Sequence, residues 1–192
     1  GLFTVINQQF QVPLKSALLP HDGNMTNALV TLLNFSWFLA YPFSEGFATR
    51  WVDRLGYRKT SVYSLLIFIA GLGFYEAAVL LHIYAPSYIT IMGNPIFTGF
   101  FIFLSGSFVI GMAVTILQVV TGLYLDVNPV GKTTPLQRQM IGGTTNSIGM
   151  AIGPLVVSYI IFYGIPLHNV QSREFIWPVI CLIAIICIFT LI

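Results

Sequence analysis

The sequence predicts an all-α integral membrane protein with six transmembrane helices, and three observations carry that prediction. First, 56% of its 192 residues are hydrophobic and only 7% are charged, whereas soluble domains carry about 45–50% apolar and about 25% charged residues. A large core cannot account for the deficit, because a folded soluble protein still needs a polar skin. Second, aromatic residues reach 15% and glycines number 17, a mixture that belongs to membrane helices more than to soluble ones. Third, the apolar residues come in runs close to the roughly 20 that a helix needs to span a bilayer. Soluble enzymes, nucleic-acid binders and disordered chains fit this composition poorly. A net charge of +2 gives no reason to expect a polyanionic partner.

In chain order, the expected spans are residues 1–19, 26–49, 60–81, 96–124, 140–164 and 175–192. The third (Ser61 to Leu81) and the sixth (Phe175 to Ile192) are the clearest apolar runs, while the first and fifth are studded with Asn, Gln, Thr and Gly. Strands of a membrane barrel would alternate over about ten residues, and the run from Val179 to Ile188 does not. The chain starts at Gly1 inside one apolar pattern and stops at Ile192 inside another, with no signal peptide to read. We therefore expect a longer parent chain.

Basic residues set the orientation. Arg50, Arg54, Arg58 and Lys59 follow span two, Lys132 and Arg138 follow span four, and the opposite loops hold only Arg173. That asymmetry places the N-terminus in the cytoplasm of a multi-pass protein of the cell membrane. His21, His82 and His168 then fall outside.

Catalytic patterns are absent. Cys181 and Cys187 share the last span without a nearby His, which is neither a zinc spacing nor a disulfide framework, so apolar packing is the expectation. Gly131-Lys132-Thr133 echoes a phosphate-binding loop, but Asp126 occupies the position of its first Gly. The Asn24-Met25-Thr26 sequon sits too close to the membrane to favour glycosylation. We expect no enzyme, no cofactor and no metal centre.

Polar residues inside spans are expensive in lipid and point to a cavity or a partner helix. Thr4, Gln8, Gln11 and Lys15 lie on one face of span one, as do Gly111, Thr115, Gln118 and Gly122 of span four. Gly142, Asn146, Gly149 and Gly153 repeat the spacing in span five, where close helix packing explains small residues well. Gln8, Gln11 and Gln118 are instead expected to line a water-filled cavity, because long amides need partners that water or a ligand supplies. Trp37 and Tyr41, four apart on span two, offer a stacking face for a sugar ring, or an interfacial anchor in lipid.

The loop after span two reads Arg50-Trp51-Val52-Asp53-Arg54-Leu55-Gly56-Tyr57-Arg58-Lys59. Asp53-Arg54-x-Gly56-x-Arg58-Lys59 between spans two and three resembles the signature loop of the major facilitator superfamily, although Thr49 stands where that motif has Gly. Leu117-Gln118 through Pro129, then Arg138, Asn146-Ser147 and Gly149, are similar in type and spacing to the L-fucose permease and glucose/galactose transporter group. The resemblance covers the N-terminal six-helix half of such a transporter.

It implies two inverted three-helix repeats, residues 1–81 and 96–192 around an outer loop at 82–95, rocking against a second six-helix half that this sequence does not contain. The implied function is secondary active transport of a hexose-like sugar by alternating access, with sodium or a proton as the coupling ion. Gln8, Gln11, Gln118, Asn146, Trp37 and Tyr41 would bind the monosaccharide. Asp53, Arg54, Arg58, Glu45 and Arg138 would gate, Glu45 by pairing with Arg138, and Glu76 is a further candidate for coupling. Gln8 and Gln118 replace the acids of the fucose permease pattern and cannot titrate, so its proton mechanism does not carry over directly. Competing expectations are a half-size pore, a non-transporting membrane scaffold or receptor, and a carrier of another small solute.

Overall fold

The computed structural model describes residues 24–91, 93–128, 131–156, 159, 165–166 and 171–191. Helix α1 spans Asn24–Tyr84, a run of 61 residues whose backbone leaves helical geometry at Gly56, with φ 78° and ψ 170°. Only glycine takes such a φ without steric penalty, so Gly56 divides α1 into two arms. Two short antiparallel strands follow, β1 (Tyr88–Ile91) and β2 (Asn94–Phe97), in the register Tyr88↔Phe97 to Ile91↔Asn94. Helix α2 covers Gly99–Val127, α3 covers Pro135–Leu155, and a 3-10 turn at Ser172–Phe175 leads into α4, Ile176–Leu191.

Helix α2 packs between both arms of α1. Ser36 donates to the Leu104 carbonyl, Gly111 meets Trp37 and Ala40, and Ala48 and Val52 join Ile116 and Val120 in one apolar cluster. Partners on α2 thus advance along the first arm. Along the second they recede: Tyr57 meets Tyr124, Ser64 donates to the Ala113 carbonyl, and Tyr75 meets Ser107 and Phe103. The arms therefore run in opposite senses beside α2. Glycines make the approach possible, since a Cβ added at Gly106 would lie 2.8 Å from the Tyr75 ring and one at Gly111 would lie 2.6 Å from the Trp37 carbonyl. Phe175, Val179, Leu182 and Ile186 then lay one face of the 3-10 turn and α4 on the same core.

The expectation of six transmembrane helices in two three-helix repeats is corrected. Among the described residues there are four α-helices, and two of them, α1 and α2, are long and apolar enough to cross a membrane. Residues 1–19, the expected first span, lie outside the described residues. Spans two and three correspond to the two arms of α1, two helices that meet at the Gly56 kink with no intervening loop. Helix α3 keeps Gln137, Arg138, Gln139 and the stretch Thr144 to Ser147 within its 21 residues, too polar for a span. Helix α4 has 16 described residues, Ile176–Leu191. The outer loop expected at 82–95 is partly the end of α1 and partly the hairpin.

The surface is apolar where a soluble protein would be polar. Phe35, Phe38, Phe43 and Phe47 are exposed on the first arm, as are Leu66 and Phe74 on the second. Cys181 and Cys187 are exposed too, so they face outward instead of packing inside the chain.

Candidate functional site

On the first arm of α1, Asn34, Trp37 and Tyr41 are spaced three and four apart, which stacks them on one face. Trp37 is only 2% exposed, held where the bare backbone of Gly111 brings α2 against its own main chain. Its indole N–H is buried with no hydrogen-bond partner, and so is the side-chain oxygen of Asn34. Each such group costs about 1–3 kcal/mol relative to a satisfied one, and native proteins keep few of them. An amide carries a donor and an acceptor whichever way its plane is turned. The face therefore presents unsatisfied donor and acceptor capacity one helical turn apart. Burial leaves the N–H of Trp37, not an open ring face, as what that residue offers. Tyr41 is half-buried, its ring 6.0 Å from that of Phe38.

The expected stripe on α2 divides into two parts. Its upper members are packing residues: Gly111 sits against α1, and buried Thr115 donates its hydroxyl to the Gly111 carbonyl at 2.8 Å. Gln118 is exposed. One turn further, the Gly122 carbonyl accepts from Gln139 Nε2 at 2.9 Å, and that amide also reaches Asp126 Oδ1 at 2.9 Å. Asn146 is exposed on α3, its Nδ2 3.7 Å from Met150 Sδ. No hydrogen bond among the described residues joins it to Gln118. Gln8 and Gln11 lie outside the described residues.

Around the Gly56 bend, Glu45, Asp53 and Arg54 of the first arm and Arg58 of the second are all exposed. Arg138 is buried, and its guanidinium donates to three backbone carbonyls: Leu125 at 2.6 Å, Thr133 at 2.7 Å and Asp126 at 3.0 Å. The Leu125 and Asp126 carbonyls are among those that the end of a helix leaves without partners, and Thr133 lies in the connecting segment, so Arg138 ties the end of α2 to the start of α3. Glu45 is not among its partners. Thr134 caps α3 reciprocally with Gln137, at 3.3 Å and 3.0 Å.

Glu76, on the second arm, also has one carboxylate oxygen buried without a partner. Among the described residues, no three His, Cys, Asp or Glu side chains gather where they would hold a metal ion. Trp37 and Tyr41 stand out in the sequence as an aromatic pair, whereas Asn34 is marked only by its place in the spacing Asn34-x-x-Trp37-x-x-x-Tyr41. Comparison with protein-family profiles, with curated proteins and with solved structures finds no match to this chain.

Proposed function

We propose that the chain is a multi-pass membrane protein, and that it carries a small polyhydroxylated solute, in the first instance a hexose, across the cell membrane. The exposed aromatic and aliphatic side chains along both arms of α1 support residence in lipid. One observation carries the solute: Asn34 and Trp37 bury an unpaired acceptor and an unpaired donor a single turn apart. A sugar hydroxyl both donates and accepts, so one or two neighbouring hydroxyls satisfy this pair. A static scaffold gains nothing from keeping both groups unsatisfied. Gln118 and Asn146 are then available for further hydroxyls, and transport is coupled to a sodium or proton gradient.

The test is counterflow of glucose, galactose, mannose and fucose in proteoliposomes of the full-length protein, with a sodium gradient, a proton gradient or neither. Exchange of at least one hexose is expected. It should fall about tenfold in Trp37→Phe, the equivalent of one hydrogen bond in a buried site. Absence of exchange for all four sugars under every gradient would sink the hexose assignment and bring the non-transporting scaffold forward.

A further inference from the structure

At the Gly56 bend, a cleft of about 260 Å³ opens between α1 and α2, lined by Tyr57, Arg58, Ser61, Val120, Thr121 and Tyr124. We propose that this cleft binds a phosphate group, carried by a lipid headgroup or by a small soluble ester, and that it is a site separate from the Asn34–Trp37 face.

The donor inventory points to an oxyanion. Ser61 gives its hydroxyl proton to the Tyr57 carbonyl at 2.9 Å and Thr121 gives its own to the Leu117 carbonyl at 2.8 Å. The groups left to donate are the Arg58 guanidinium and the two phenols. No carboxylate lines the cleft. Arg58 is exposed, and among the described residues no ion pair neutralises it. Arg50, Arg54 and Lys59 surround it in sequence against Asp53 alone, so the local potential is positive although the chain as a whole is nearly neutral. A planar guanidinium fork matches two oxygens of a phosphate, which a point charge does not.

Shape sets the size of the ligand. The Tyr57 and Tyr124 rings meet edge to face at 5.8 Å, fixing one wall, and buried Val120 contributes an apolar surface. The positive φ of Gly56 is what carries Tyr57 and Arg58 round the bend onto α2. Pockets for drug-sized ligands run from roughly 300 to 1,000 Å³. This cleft falls just below that range, which suits a phosphate with a small esterified group and not a nucleotide.

Thermal unfolding of the full-length protein in phosphate-free detergent micelles tests the assignment. Four probes are added in turn: phosphatidylglycerol, diacylglycerol, glycerol 3-phosphate and inorganic phosphate. Phosphatidylglycerol should raise the unfolding temperature and diacylglycerol should not. A shift with glycerol 3-phosphate or inorganic phosphate as well identifies a soluble ester as able to fill the site; a shift with the lipid alone identifies the headgroup. Arg58→Gln should weaken the apparent affinity about tenfold or more, the effect of one charge-assisted hydrogen bond. Arg54→Gln, which removes the same charge outside the cleft, should change it by less than about threefold. Thr121→Leu fills the cleft without altering charge and should abolish the shift, which covers the case of an Arg58 variant that folds poorly. The proposal is overturned if no phosphate-bearing probe shifts the wild type. It is equally overturned if Arg54→Gln matches Arg58→Gln, or if Thr121→Leu binds normally.

Discussion

The hydroxyl oxygens of Tyr75 and Ser107 lie 2.7 Å apart inside the contact between the second arm of α1 and α2, and the Tyr75 ring stacks on Phe103 at 3.7 Å and 9°. Both residues are fully buried, so the pair joins the helices by packing and by a hydrogen bond that water does not compete for. Inter-helix hydrogen bonds in membrane proteins average only about 0.6 kcal/mol, with a maximum near 1.7. Tyr75→Phe keeps the stacked ring and should lower the unfolding free energy by about 0.6–1.7 kcal/mol. Tyr75→Ala loses the ring as well and should cost about 3–5 kcal/mol, the usual range for truncating a buried aromatic. Denaturant titration in mixed micelles separates the two.

One glycine at the contact between α1 and α2 and one away from it provide a matched pair. A Cβ at Gly106 would lie 2.8 Å from the Tyr75 ring, 2.9 Å from Phe74 Cβ and 3.0 Å from the Gly71 carbonyl, whereas one at Gly73 meets nothing within 4 Å. Gly106→Ala must push the helices apart and should destabilise by about 1–3 kcal/mol, as overpacking does. Gly73→Ala should be neutral or stabilising by up to about 1 kcal/mol, because alanine is the better helix former. Equal effects from the two substitutions would remove close packing as the reason for the glycine.

Arg138 separates an anchor from a gate. Its three carbonyl bonds hold the segment between α2 and α3, so Arg138→Ala strands acceptors that the end of a helix cannot satisfy. The expected loss is about 2–3 kcal/mol, with faster protease nicking between Asn128 and Thr134. Lysine lacks the planar fork, so Arg138→Lys should recover less than half of that. A residue that only gates would change the transport rate and leave the unfolding free energy and the nicking rate untouched.

How much of this was legible depends on the length scale of each signal. The apolar runs at 26–49 and 60–81 lie inside α1, and the run at 96–124 is α2 from Gly99 onward, its first residues belonging to β2, because some twenty mostly hydrophobic residues specify a helix on their own. Gly56 was visible as part of a motif, but that it would be the sole break in a 61-residue run depends on φ, which composition does not encode. The hairpin escaped because each strand has four residues, too few for alternation to stand out. The length of the segment at 140–164 suggests a span, but α3 begins at Pro135 and its polar stretch from Thr144 to Ser147 outweighs the apolar residues around it. At the candidate site, an aromatic pair four apart is conspicuous, whereas an asparagine in an apolar helix looks ordinary until burial shows that its oxygen has no partner. Arg138 was marked by a family resemblance, and only the carbonyls around its guanidinium reveal the tie between α2 and α3.

Asn34 offers the sharpest division between binding and architecture. If the amide exists to meet a solute hydroxyl, it is kept at the expense of stability, and Asn34→Leu should raise the unfolding free energy of the ligand-free protein by about 1–2 kcal/mol, the cost of burying an unsatisfied polar group. Leucine is close in size, so the gain is not offset by a cavity. The same substitution leaves a sugar hydroxyl without its partner, and hexose exchange should fall about tenfold. Stability and function then move in opposite directions, as they do where a binding site is maintained against the packing optimum. A structural asparagine would behave differently: its loss would destabilise the protein, and exchange would decline only in proportion to the folded fraction. Measuring unfolding and exchange on the same preparation decides between the two, and a variant that is less stable yet exchanges normally per folded molecule would remove Asn34 from the site.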